Sequence, residues 1–78
     1  MKSQAIGSLG GELSPIAKHV QRLACTADVI VWVSGDRLFA TPARAAEKVP
    51  RELRVGIYGA GVLLAEIEDD VRRFRLRN

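Results

Sequence analysis

The chain has 78 residues, of which 47% are hydrophobic and 27% charged, and a net charge of +3. That composition excludes a largely disordered chain, and the length allows one domain with a single core, burying about 60% of the unfolded surface. Its longest apolar run, Val29 to Val33, is far shorter than the roughly 20 residues that span a bilayer, and residues 1–13 lack the apolar segment of a signal peptide.

A cytoplasmic protein with no membrane partner is therefore expected. The lone Cys25 excludes an internal disulfide, fits a reducing compartment, and leaves only an intermolecular bridge as a covalent option. Residues 1–70 hold eight Lys/Arg against nine Asp/Glu, so the positive balance comes from Arg72, Arg73, Arg75 and Arg77. A basic end of this kind favours an anionic partner, although charge on an edge strand also serves to block aggregation.

Residues 1–13 contain Gly7, Gly10 and Gly11 without apolar periodicity and read as a flexible arm. The domain proper, residues 14–78, opens with Ser14 as N-cap and Pro15 at the first helical position. A helix to about Thr26 places Ile16, Ala17, Val20, Leu23, Ala24 and Ala27 on one face and Cys25 opposite it. The β-branched run Val29–Val33 then answers Leu38–Thr41 across Ser34-Gly35-Asp36-Arg37. This is a hairpin that sets Val33 against Leu38 and Trp32 against Phe39. Thr41-Pro42 repeats the cap signature before a short helix over residues 43–48, which Pro50 stops.

Residues 62–77 satisfy two patterns. As a helix, Leu63, Leu64, Ile67, Val71 and Phe74 share an uncharged arc, with Glu68/Arg72 and Asp69/Arg73 as i,i+4 pairs. As strands, residues 53–58, 62–68 and 71–77 form a meander through turns at Gly59–Gly61 and Asp69-Asp70, with Glu66 lying between Arg54 and Arg73. Because both turns, both registers and the charge pairing agree, we adopt the strands. The expected fold is α+β, in the order α-β-β-α-β-β-β, with an antiparallel sheet covered on one face by the N-terminal helix.

Arg54–Gly61 resembles the opening of a dinucleotide-binding Rossmann unit, a strand running into Gly-x-Gly. The third glycine position is Leu64, and the 14 residues after it are too few for a βαβ unit, so a glycine-rich turn is the better reading. His19 and Cys25, six residues apart on one helix, lie about 9 Å apart along its axis and about 120° around it, too far to form a catalytic pair. Glu66, Glu68, Asp69 and Asp70 lack the ligand spacing of a calcium loop, and one cysteine with one histidine cannot build a zinc site. We expect no enzyme activity, no metal and no cofactor.

The second face of the expected sheet carries Trp32, Phe39, Tyr58 and Leu64 with Arg37, Arg73, Arg75 and Arg77 at its rim. Trp, Tyr and Arg are the residue types enriched in binding hot spots, and two short helices cannot cover both faces of a sheet. These eight residues form the expected partner-binding surface, serving either a homodimer or a larger partner, unless the second helix covers Trp32 and Phe39 as core.

In its 78 residues and its plain helix-plus-hairpin start from Ser14 to Thr41, the chain resembles short phage and mobile-element proteins, anti-CRISPR proteins among them. Anti-CRISPR proteins share no common fold, so the resemblance assigns no residue a role. Many are acidic DNA mimics, whereas this chain is net basic. The resemblance implies a stoichiometric inhibitor occupying a site on a CRISPR effector subunit or ribonucleoprotein complex. The alternative is a nucleic-acid-binding regulator that uses its C-terminal arginines on phosphates and its aromatic residues for stacking.

Overall fold

The computed structural model describes residues 4–8 and 13–77, with Gln4 and Ser8 described by their backbone. In chain order the elements are strand β1 (Gln4–Ser8), helix α1 (Leu13–Ala24), strands β2 (Val29–Ser34) and β3 (Arg37–Pro42), 3-10 turns over Ala43–Lys48 and Arg51–Leu53, strand β4 (Arg54–Tyr58) and helix α2 (Leu64–Arg77). The four strands form one antiparallel sheet in the order β1-β3-β2-β4.

The α+β class, the antiparallel sheet and its cover by the N-terminal helix are as expected. Hairpin β2–β3 also has the expected register, with Val33 opposite Leu38 and Trp32 opposite Phe39. Gly35 provides the positive φ of 65° that a two-residue turn of this hand requires.

Residues 62–77 differ: they form one helix, not two strands. The physical reason lies on the sheet. Val29, Val31, Val33, Leu38 and Ala40 make an apolar face too wide for α1 alone, whose buried side chains are Ala17, Val20 and Ala24. Helix α2 covers the rest with Ile67, Val71 and Phe74, three positions on the arc that the helical pattern predicts. Burying each such large side chain is worth about 1.5–3 kcal/mol. The intrahelical ion pairs run at i,i+3, Arg72 to Asp69 at 3.5 Å and Arg73 to Asp70 at 3.4 Å.

Two further expectations need correction. Gln4–Ser8, within the arm read as unstructured, is a strand on the edge of β3, while residues 1–3 and 9–12 of that arm lie outside the described residues. The cap residues also act elsewhere. Helix α1 begins at Leu13, and the Ser14 hydroxyl donates to Glu68 Oε2 of α2 at 2.7 Å. Thr41 is buried within β3, and Pro42 precedes the 3-10 turns without a side-chain cap.

Strand β4 carries a bulge at Val55. Trp32 pairs with Arg54 and Val31 with Gly56, leaving Val55 unmatched. At Gly56 an added Cβ would stand 2.7 Å from Tyr58 Oη and 3.0 Å from its Cζ, because the Tyr58 ring lies back across the strand. Gly56→Ala is therefore expected to cost about 1–3 kcal/mol, the usual range for overpacking a tight site. Urea denaturation should show this loss, and a smaller one when Tyr58→Phe is also present, since the shared clash makes the two changes non-additive.

Candidate functional site

Alternation along the strands divides the sheet into an inner face under the helices and an outer face. Ile30 and Trp32 of β2 point outward, opposite Thr41 and Phe39 of β3, with Arg37 following at the hairpin end. On β4 the same face takes Ile57 and Arg54, and on β1 it takes Ala5.

The 3-10 turns pack over one end of this outer face. Ile30 and Thr41 are fully buried there, and Ala45 and Val49 of the turn segment are buried with them. Arg54 fastens this cover: its Nη2 donates to Ala46 O at 2.7 Å and Val49 O at 2.9 Å, and its Nε donates to Val49 O at 3.3 Å. Arg54 thereby bonds the Val49 carbonyl and adds a second donor to that of Ala46, which already accepts the Val49 N–H at 3.0 Å.

Beyond the cover the face is open. Trp32 and Phe39 are half-buried and stack with ring centroids 4.7 Å apart and an interplanar angle of 22°. Such an offset pair adds about 0.5–1.5 kcal/mol to simple area burial. The indole Nε1 donates to Thr41 Oγ1 at 2.8 Å, so the polar edge of Trp32 is satisfied beneath the surface and its exposed part is apolar. Arg37 is exposed beside the pair, and Ile57, 58% exposed, lies on the same face along β4.

Of the expected surface, the structure thus brings together Trp32, Phe39 and Arg37. The turns reach Ile30 and Thr41 but do not bury the aromatic pair. Tyr58 is corrected to the inner face, where it is a core residue whose hydroxyl donates to Asp70 Oδ2 at 2.7 Å. Leu64 is corrected to the first turn of α2, partly buried against the same core. Arg73, Arg75 and Arg77 are exposed on α2, which covers the inner face, so they do not rim the aromatic pair. Cys25 is exposed, as the arc of α1 predicts. Thr41 and Ile57 join the outer face unforeseen, and Arg54 keeps the outward side that strand alternation gives it but bonds the turns in place of Glu66. No signal in the strand's own alternation marks Ile57, which shares the parity of Leu53 and Val55 and turns outward only through the bulge.

The strand, glycine turn and helix at residues 54–77 do follow the order of a nucleotide-binding opening. Glu66, Asp69 and Asp70 line the groove beside Gly59–Gly61, however, and Glu66 Oε2 already accepts the Leu63 N–H at 3.3 Å. These carboxylates repel a phosphate. A separate cleft of about 470 Å3 between the end of α1 and the β2–β3 ladder is lined by Leu23, Ala27, Val29, Ala40 and Pro42. Its lining is mainly apolar and brings together no catalytic pair.

Among the described residues no group of three or more His, Cys, Asp and Glu side chains could hold a metal ion, and no helix is long and apolar enough to cross a membrane. The chain matches no protein-family model, no curated protein and no solved structure.

Burial, the hydrogen bond to Asp70 and the negative charges of Asp70 and Glu66 all hold the Tyr58 phenol well above its ordinary range, while Arg73 pulls the other way. An unfolded phenol ionises near pH 10, whereas the folded one keeps its proton there. The unfolded state then binds fewer protons than the folded state, so stability is full below about pH 10 and falls as pH rises above it. Tyr58 is the chain's single tyrosine, so tyrosinate absorbance reports this group alone. On alkaline titration, absorbance should rise together with the loss of circular dichroism, and a tyrosinate signal preceding unfolding would contradict the buried hydrogen bond.

Proposed function

We propose that the chain is a non-catalytic binding protein that docks on another protein through the outer sheet face, with Trp32 and Phe39 as anchors and Arg37 at the rim. The observation that carries this reading is the stacked aromatic pair. It stands half-open on a face whose other end the chain covers with its 3-10 turns. A Trp at the centre of a rigid patch, with its own N–H already satisfied, offers apolar area at little cost in order or desolvation.

For the partner, the sequence resemblance suggests a CRISPR effector subunit or its ribonucleoprotein complex. In that specific form the protein is a stoichiometric inhibitor of anti-CRISPR type acting in the cytoplasm, where Cys25 stays reduced. The competing nucleic-acid reading rests on the exposed arginines of α2. Arg72 and Arg73 are already paired with Asp69 and Asp70 on that helix, which weakens the positive field it presents.

The test titrates wild type, Trp32→Ala, Phe39→Ala and an Arg73/Arg75/Arg77→Gln variant against purified effector complexes, duplex DNA and single-stranded RNA at two ionic strengths. Each variant is first checked for folding. Under the proposal, equimolar wild type blocks target cleavage by an effector. Either aromatic truncation then costs about 2 kcal/mol or more, roughly a thirtyfold rise in Kd, while the arginine variant binds nearly as well as wild type. Nucleic-acid binding that weakens steeply with salt, with a slope flattened in the arginine variant, would instead establish the regulator reading. Full inhibition by a folded Trp32→Ala protein would remove the outer face from the interface.

A further inference from the structure

The Trp32–Phe39 stack runs across the strands. Its centroid spacing of 4.7 Å matches the roughly 4.8 Å between neighbouring strands, and the two residues are opposite partners in the β2–β3 ladder. The same row continues to Arg54 on β4 and to Ala5 on β1. Its two ends differ. Towards β4 the row is closed by Arg54, whose guanidinium is held by the Ala46 and Val49 carbonyls. Towards β1 it ends on Ala5, an exposed residue of the last strand of the sheet, so among the described residues the row sets only a methyl beside the far face of Phe39.

Phe39 and Ala5 thus form a step on the outer face, with the ring as its wall and the Ala5 methyl as its floor. Trp32 fills the equivalent place on the other side of Phe39, and a further ring laid on the step at the same spacing stands over β1. A flat aromatic group gains most there, because stacking adds to the area it buries. A guanidinium is flat as well, but it meets the like charge of Arg37, the next outward position of β3. Arg37 forms no ion pair with a described residue, the neighbouring Asp36 included, and its partner across the ladder on β2 is Ser34. Its charge is therefore open to an acid, whereas that of Arg54 is committed to the turns.

We propose that the docking face receives an aromatic side chain of the partner, stacked on the free side of Phe39 above Ala5, with an acidic group of the partner beside it on Arg37. The inference rests on the docking reading and names what the partner presents, an exposed aromatic residue next to a carboxylate. Binding then builds one continuous stack of three rings over β2, β3 and β1, two from this chain and one from the partner. The ion pair at Arg37 selects the acidic neighbour and fixes the direction in which the partner lies, more than it adds affinity.

Nuclear magnetic resonance of the full chain titrated with N-acetyl-tryptophan, an aromatic group that carries a carboxylate, tests the step without a partner. The Phe39 ring protons should move upfield and saturate, as protons facing a second ring do, and the ring protons of the probe should show Overhauser contacts to the Ala5 methyl. The neutral N-acetyl-tryptophanamide should bind roughly two- to fivefold more weakly, as loss of an exposed ion pair requires, and Arg37→Gln should remove that difference. N-acetyl-leucine should give no such contacts. Ala5→Phe supplies the third ring from the chain itself, so it should keep the fold and lose probe binding, whereas Ala5→Ser leaves the step open and should bind as wild type does. In titration against the effector complex, Ala5→Phe should weaken binding roughly tenfold or more. No probe contacts at Ala5 and Phe39, equal binding of N-acetyl-leucine, or undiminished probe binding by Ala5→Phe would overturn the proposal. An Ala5→Phe protein that keeps a partner which Trp32→Ala loses would overturn the step and leave the docking face standing, while a partner kept by Ala5→Phe, Trp32→Ala and Phe39→Ala alike would remove both.

Discussion

The hydrogen bond from Tyr58 to Asp70 ties the last strand to the last helix, and the arrangement of both sheet faces depends on it. Tyr58 can reach Asp70 only by folding its ring back over Gly56, which has no Cβ to obstruct it. With the ring held there, α2 sits across β4 and sets Ile67, Val71 and Phe74 on the same core as Val31 and Leu38. A phenol buried in this way donates a charge-assisted bond to a carboxylate, stronger than a neutral pair and costly to leave unmade. The Gln21 Nε2 bond to Val62 O at 2.7 Å and the Ser14 bond to Glu68 tie α1 to the same segment. The two helices are thus held to each other as well as to the sheet.

Where side chains of β4 point follows from the bulge at Val55. Without it, a period of two from Leu53 puts Val55 and Ile57 on the inner face and Tyr58 outside, which is the assignment made from the sequence. The bulge inserts one residue, so Arg54 and Ile57 both face outward and Tyr58 turns inward. No residue type announces such a bulge. It arises where Arg54 has to face the turns it caps while Tyr58 has to meet α2. Two long-range requirements compete over five residues, and nothing within the strand's own pattern records either.

The hairpin, α1 and the segment over residues 43–48 were legible because their signals are local: a β-branched run, a Gly35-Asp36 turn, an amphipathic arc and a proline stop. The helical reading of residues 62–77 was legible too, yet the strand reading prevailed on consistent registers. A segment can satisfy both periods through different residues: Ile67, Val71 and Phe74 recur at helical spacing, while Leu63, Ala65 and Ile67, and then Phe74 and Leu76, recur at two. What decides is the area to be covered on the sheet, a property of the whole chain. Strand β1 shows the same limit from the other side. Gln-Ala-Ile-Gly-Ser has little strand character, and its conformation follows from the unpaired edge that β3 offers it. Of the expected binding surface, Trp32, Phe39 and Arg37 were legible because they lie on the hairpin, whose register needed no tertiary information. Tyr58, Leu64 and the arginines beyond it were misplaced with the strands that were to carry them.

With both helices committed to the inner face, the 3-10 turns are what the described residues offer the outer one, and they reach just far enough to bury Ile30 and Thr41. Thr41 is then the hinge between covered and open regions. Its hydroxyl lies beneath the turns and accepts the indole N–H, so Trp32 is oriented from the buried side by a bond that water does not contest. The Phe39 ring fixes the other flank of the indole by stacking. A tryptophan merely left exposed would lose several rotamers on binding, each at a cost in affinity, whereas this one has lost them on folding. The same economy of cover that leaves the outer face half open also makes its open half rigid and apolar, the combination a docking surface requires.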